Sequence, residues 1–116
     1  MSGPPLRLDS LGMWEATVGL PEQMAAAAAT AAAVELRPLP GPVSDVTVCG
    51  VGTGSIAAGA VATLARHSLP VPVVVADEPA LPAWVGRRSL VVVVSFSGAA
   101  AATEAHAAAA REAGAT

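Results

Sequence analysis

Val46-Thr47-Val48-Cys49, followed at once by Gly50-Val51-Gly52-Thr53-Gly54-Ser55 and then by Ile56 to His67, decides the fold. The first four residues are a short, largely β-branched apolar run, the pattern of a strand buried on both faces. The glycines mark a tight turn, and the Ala-rich stretch behind them has helical composition, closed by Ser68-Leu69-Pro70. Strand, glycine turn and helix in that order open a parallel α/β sheet.

The segments on either side fit the same plan. Val71 to Ala76 is a second apolar run, interrupted early by Pro72, and Asp77 to Arg88 is a Pro-containing loop. Leu90 to Val94 predicts a third strand, Ser95 to Gly98 a turn, and Ala99 to Ala113 a helix ended by Gly114. Upstream, residues 1–12 read as irregular, and helical signals start at Gly12 to Val18. A longer helix is expected over Glu22 to Leu36, with Pro21 suited to its first turn and Glu22 at its positive end. Pro38, Pro40, Gly41 and Pro42 then form a stiff linker. The expected organisation is a helical lead and linker over residues 1–42 and an α/β domain over 43–116. Its class is a doubly wound parallel sheet, an αβα sandwich truncated after the third strand and its helix.

Composition narrows the function classes. The chain has 116 residues, enough for one small domain, with 53% hydrophobic and 13% charged residues, so it is not a disordered tail. Alanine occupies 28 positions and valine 16, while Lys, Asn and Tyr are absent. A net charge of −3 without a basic block argues against nucleic acid and anionic membrane as partners. No apolar run reaches the roughly 18 residues needed to span a bilayer, and Met1 to Ser10 lacks the order of a signal peptide. A single Cys49 leaves no internal disulfide and no cysteine-rich metal site, which fits a cytoplasmic protein.

Two turns carry the candidate chemistry. In an open parallel sheet, ligands sit beyond the carboxyl ends of the strands, beside helix N-termini. Gly50 to Ser55 and Ser95 to Gly98 both fall there. Glycines let a ligand approach the backbone, helix N-termini offer free N–H groups, and Ser55, Ser95 and Ser97 add hydroxyls. With no cation nearby, the expected guest is a phosphate held by Gly52, Thr53, Gly54, Ser55, Ser95 and Ser97.

With these residues in view, the chain resembles the sugar isomerase (SIS) domains of the bifunctional phosphoglucose/phosphomannose isomerase group. Leu20-Pro21-Glu22-Gln23 after Gly12-Met13 looks like the group's N-terminal helix pair. Gly50 to Ser55 is similar to its G-M-G-G-S loop, and Leu81-Pro82-Ala83-Trp84-Val85 matches its L-P-x-W-V segment. Ser95-Phe96-Ser97-Gly98 matches the start of its S-Y-S-G-N-T-E-E-T phosphate loop, and the likeness runs from about Leu8 to Thr116. There are departures. In register the first loop's serine falls on Gly54, with Ser55 one place late. Ala99 and Ala100 replace Asn-Thr, Ala101 and Ala102 replace the two Glu, and Thr103 is retained. Losing the threonine hydroxyl removes one ordinary hydrogen bond, about 0.5–1.5 kcal/mol.

The resemblance implies sugar-phosphate binding within aldose–ketose isomerisation, no metal, no organic cofactor, and a homodimer. It also implies that the base moving a proton between C1 and C2, and the ring-opening histidine, lie in a second subdomain. No catalytic residue of this chain matches those roles. A non-catalytic sugar-phosphate sensor or a degenerate remnant is the alternative. A dinucleotide-binding piece is more distant: Gly50-x-Gly52 and Asp77 imitate its fingerprint, but Ser55 stands at the third glycine position. Among the remaining residues, Asp77, Glu78, Arg87 and Arg88 read as solvated loop, His67 and His106 as surface histidines, Cys49 as a buried thiol and Trp84 as packing.

Overall fold

The computed structural model describes residues 9–116. The expectation of irregular chain over residues 1–8 lies outside the described residues. The chain divides into two compact units, Met1–Pro38 and Leu39–Thr116.

The first unit holds two helices, α1 (Met13–Val18) and α2 (Leu20–Ala32), with no buried residue in either. Asp9 starts α1: its carboxylate oxygens accept from the N–H groups of Met13 (2.8 Å) and Trp14 (2.7 Å), which have no partner inside the helix. Pro21 sits in the first turn of α2 and Glu22 at its positive end, as the sequence predicts. The helix stops at Ala32 rather than Leu36. Residues beyond include β-branched Val34, and Arg37 precedes Pro38, whose ring disfavours helical backbone before it.

The second unit is an α/β fold around a three-stranded parallel sheet. Its elements are β1 (Asp45–Gly50), α3 (Thr53–Ala65), β2 (Val73–Ala76), β3 (Ser89–Val94) and α4 (Ala101–Glu112). The strand order is β2-β1-β3, so β1 is central and every one of its residues is buried. Val46 pairs with Val73 on one side and Leu90 on the other, and Val48 with Val75 and Val92. On that face Val46 and Val48 meet Ala58 of α3, with Val71, Val73, Val75, Leu90 and Val94 packed around them. The core is small because alanine and valine supply it, and each buried CH₂ contributes only about 0.8 kcal/mol.

The alternate residues of β1 and β3 form a polar stripe. Asp45, Thr47 and Ser89 are buried, and Asp45 pairs with Ser89 across the β1–β3 register. Asp45 Oδ2 accepts from the Ser89 hydroxyl (2.9 Å) and the Ser44 hydroxyl (2.8 Å). The Gly86 N–H donates to Ser89 Oγ (3.1 Å), while the Ser44 N–H donates to the Arg88 carbonyl (2.8 Å). This network ties the entry of β1 to the entry of β3. Cys49 lies two residues after Thr47 on the same face, and burial pushes its thiol pKa up, which leaves it unreactive. Trp84, expected to pack, is 59% exposed. No helix among the described residues is long and apolar enough to cross a membrane.

Replacing Asp45 with Ala removes the acceptor shared by Ser44 and Ser89 and leaves a buried hydroxyl unpaired. The expected loss is about 2–3 kcal/mol, read as a lower denaturant midpoint. Asp45→Asn, which keeps one acceptor oxygen, is expected to lose less.

Candidate functional site

The carboxyl ends of β1 and β3 lie side by side, because Gly50 pairs with Val94. The turn after β1 is built by backbone. Gly52 has φ +59°, a left-handed value that suits glycine, and lets the chain double back into α3. The N–H of Gly54 donates to the Val51 carbonyl (3.0 Å), and that of Ser55 to the Gly52 carbonyl (3.1 Å). The N–H groups of Gly52 and Thr53 have no partner among the described residues and belong to the free positive end of α3.

Close packing demands glycine at two points of this turn. A Cβ on Gly54 would lie 2.8 Å from the Val94 carbonyl oxygen, and one on Gly50 would run into the Gly54 carbonyl. Backbone therefore touches backbone where α3 begins, and the two turns are drawn together. They share one cleft of about 300 Å³, lined by Thr53, Gly54, Ala57, Val94, Ser95 and Phe96. Such a volume is at the small end of ligand sites.

Of the six residues expected to hold a phosphate, Thr53, Gly54 and Ser95 line this cleft; Gly52, Ser55 and Ser97 do not, though each is next in sequence to a residue that does. Their hydroxyls differ in availability. The Ser55 hydroxyl donates to the Gly52 carbonyl (2.7 Å), so its proton is committed to the turn. Ser95 Oγ instead accepts from the Gly98 N–H (2.9 Å), and Ser97 Oγ from the Ala99 N–H (3.4 Å). Both therefore keep a proton to donate. The helix beyond begins at Ala101, two residues later than expected, and its N-cap is Ala100 without a side-chain cap. Ser95 and Ser97 shape the turn rather than cap the helix.

The other charged candidates fall elsewhere. Arg87 and Arg88 line a different cleft, with Pro40, Gly41, Pro42, Val43 and Thr116, at the amino end of β3. His67 is exposed past the end of α3. Asp77 and Glu78 follow β2 at the carboxyl edge, in a cleft of about 240 Å³.

His106 corrects the surface reading. It is completely buried, and its ring Nε2 hydrogen-bonds the Glu78 carbonyl. Only an N–H can serve a carbonyl oxygen, so the proton sits on Nε2. Nδ1 is buried without a partner, as is Thr47 Oγ1. One side chain thus links α4, which starts behind the second turn, to the loop after β2. Sequence reasoning missed it because a lone histidine among alanines carries no periodic apolar signal.

Comparisons with protein-family models, with curated proteins and with solved structures return no match.

Gly54→Ala is expected to push the start of α3 off β3 and cost about 1–3 kcal/mol. Gly59→Ala, where nothing lies within 4 Å of the new Cβ, should be neutral or stabilising by up to about 1 kcal/mol, because alanine favours helix. Paired thermal melts of the two variants check this contrast.

Proposed function

We propose that the chain is a sugar-phosphate-binding domain of the SIS type, related to glucose-6-phosphate and mannose-6-phosphate isomerases and working in cytoplasmic carbohydrate metabolism. On this reading the three-stranded sheet is the front of a doubly wound αβα sandwich, and the full protein works as a homodimer. The phosphate lies between the two turns, beyond the carboxyl ends of β1 and β3. It is held by the backbone N–H groups of Gly52 and Thr53 and by the hydroxyls of Ser95 and Ser97, while Gly54, whose N–H closes the turn onto Val51, lets the phosphate approach and Ser55 braces the turn.

What carries the reading is the shared cleft of Thr53, Gly54 and Ser95. Thr53, with its free N–H, and Ser95, whose hydroxyl keeps a proton to donate, both line it, no carboxylate is among the lining residues, and Gly52 and Ser97 are next in sequence to residues that line it. That donor set suits a phosphate's acceptor-only oxygens. The motif resemblance then narrows the guest from any phosphate to a hexose phosphate.

Titration with glucose 6-phosphate, followed through backbone amide shifts, tests the proposal. The largest shifts are expected at Gly52, Thr53, Gly54, Ser95 and Ser97; shifts confined to Arg87–Arg88 or His67 would sink it. Ser95→Ala and Ser97→Ala each remove a hydrogen bond to a charged group, about 1.5–3 kcal/mol, so each should weaken binding tenfold or more. Ser55→Ala should weaken it least.

Binding groups are matched here and a proton-abstracting base is not, so the chain by itself should show no turnover of fructose 6-phosphate in a coupled assay. Activity that survives repurification and disappears in Ser97→Ala would overturn the assignment of catalysis to groups outside these residues.

A further inference from the structure

We propose that Phe96 is a specificity-determining residue of the cleft: its ring is the platform on which the carbon face of the sugar lies once the phosphate is anchored. This rests on the phosphate reading of the cleft, and adds to it the group that separates a hexose phosphate from phosphate alone.

The cleft has two chemically distinct kinds of wall. Thr53 and Ser95 supply its polar side chains, while Ala57, Val94 and Phe96 supply apolar surface. Each apolar residue comes from a different element: Ala57 from α3, Val94 from the end of β3, and Phe96 from the turn that follows. Val94 also packs against the core of the sheet, so its wall is fixed. A bare phosphate would use the donors and leave the apolar surface against water. It would also fill only part of a cleft of about 300 Å³. Apolar lining with a few placed polar groups is the usual composition of a site for an organic ligand.

Phe96 takes no part in the core, since its side chain is 97% exposed. Its backbone, in contrast, is held on both sides. Ser95 Oγ accepts from the Gly98 N–H (2.9 Å), and Ser97 Oγ accepts from the Ala99 N–H (3.4 Å). The same two serines keep the hydroxyl protons offered to the phosphate. The ring therefore stands on a stem placed between two phosphate donors, beside whatever the phosphate carries.

The chemistry of the guest fits that neighbour. In a hexose 6-phosphate the sugar ring follows directly on the ester carbon. One face of a pyranose presents C–H groups, whose partial positive charge is attracted to the negative face of an aromatic ring. No charged residue lines the cleft, so contact with the ring, and not an ion pair, distinguishes the sugar from its phosphate.

Calorimetric titration of the wild-type chain, Phe96→Ala and Phe96→Tyr with inorganic phosphate and with glucose 6-phosphate tests this. The wild-type chain is expected to prefer glucose 6-phosphate by about fivefold or more. Phe96→Ala should erase that preference and leave the affinity for inorganic phosphate unchanged; Phe96→Tyr, which keeps the ring, should retain it. The ring-proton resonances of Phe96 should shift with glucose 6-phosphate and not with inorganic phosphate. No preference in the wild-type chain, a preference that survives Phe96→Ala, or equal loss of both ligands in Phe96→Ala would overturn the proposal and leave the phosphate reading standing. So would tighter binding of adenosine monophosphate than of glucose 6-phosphate, which would make the ring a platform for a base. A wild-type chain that binds neither phosphate nor glucose 6-phosphate would overturn both.

Discussion

The contact between the backbone of Gly54 and the Val94 carbonyl is the constraint on which the candidate site depends. A helix normally approaches a sheet through side chains, and the gap they leave is wide. Here the first turn of α3 has no side chain at the point of contact, so its N-terminus descends onto the end of β3. Gly50 allows the same descent from the β1 side. The consequence is local and geometric: Thr53 and Gly54 of one turn and Ser95 of the other line a common cleft. With ordinary side chains at both positions, the same two turns would stand apart.

At the entry end of the strands, a different kind of interaction dominates. Asp45, Ser89 and Ser44 form a hydrogen-bonded knot, and Gly86 closes it from the loop. A buried carboxylate is costly unless its acceptors are used, and here only Oδ2 is used while Oδ1 is buried without a partner. Its presence exchanges some stability for a defined register of β1 against β3. The apolar face alone specifies that register weakly, since Val91 to Val94 are all valine and a slip by two residues would present the same side chains. Asp45 opposite Ser89 removes that ambiguity.

Much of this was legible in the sequence, and the limits have physical causes. The three strands, the helices between and after them, and the two turns follow from β-branched runs punctuated by glycine, serine and proline. Helix ends were less legible. The start of α3 moves back to Thr53 because the glycine turn leads directly into helix, and α4 starts late because Gly98, at φ +70°, must first reverse the chain. The placing of Thr53, Gly54 and Ser95 in one cleft could be anticipated from strand order alone. Which hydroxyls remain free could not. Ser55 and Ser95 look alike as letters, yet one donates into its own turn and the other accepts from it. His106 was illegible for a related reason: its partner is a backbone carbonyl 28 residues away, and no side-chain pattern announces such a bond.

A phosphate bound as proposed would have to be held without a cation. Arg87 and Arg88 line a cleft at the other end of β3, so charge neutralisation at the carboxyl edge falls to helix ends and neutral donors. A helix end contributes roughly half a unit of positive charge. Both α3 and α4 start at this edge, one at Thr53 and the other at Ala101. The alanine that replaces threonine in the resembled loop is Ala100, which the structure places at the N-cap of α4. A hydroxyl there would satisfy an N–H of the first turn as well as reach a ligand, and its loss costs about 1 kcal/mol of helix stability. Its absence leaves that N–H unsatisfied by the chain. On the proposed reading, an alanine at this position subtracts a hydroxyl donor but leaves a free backbone donor at the helix start, and the affinity for a phosphate would depend on how nearly the second compensates the first.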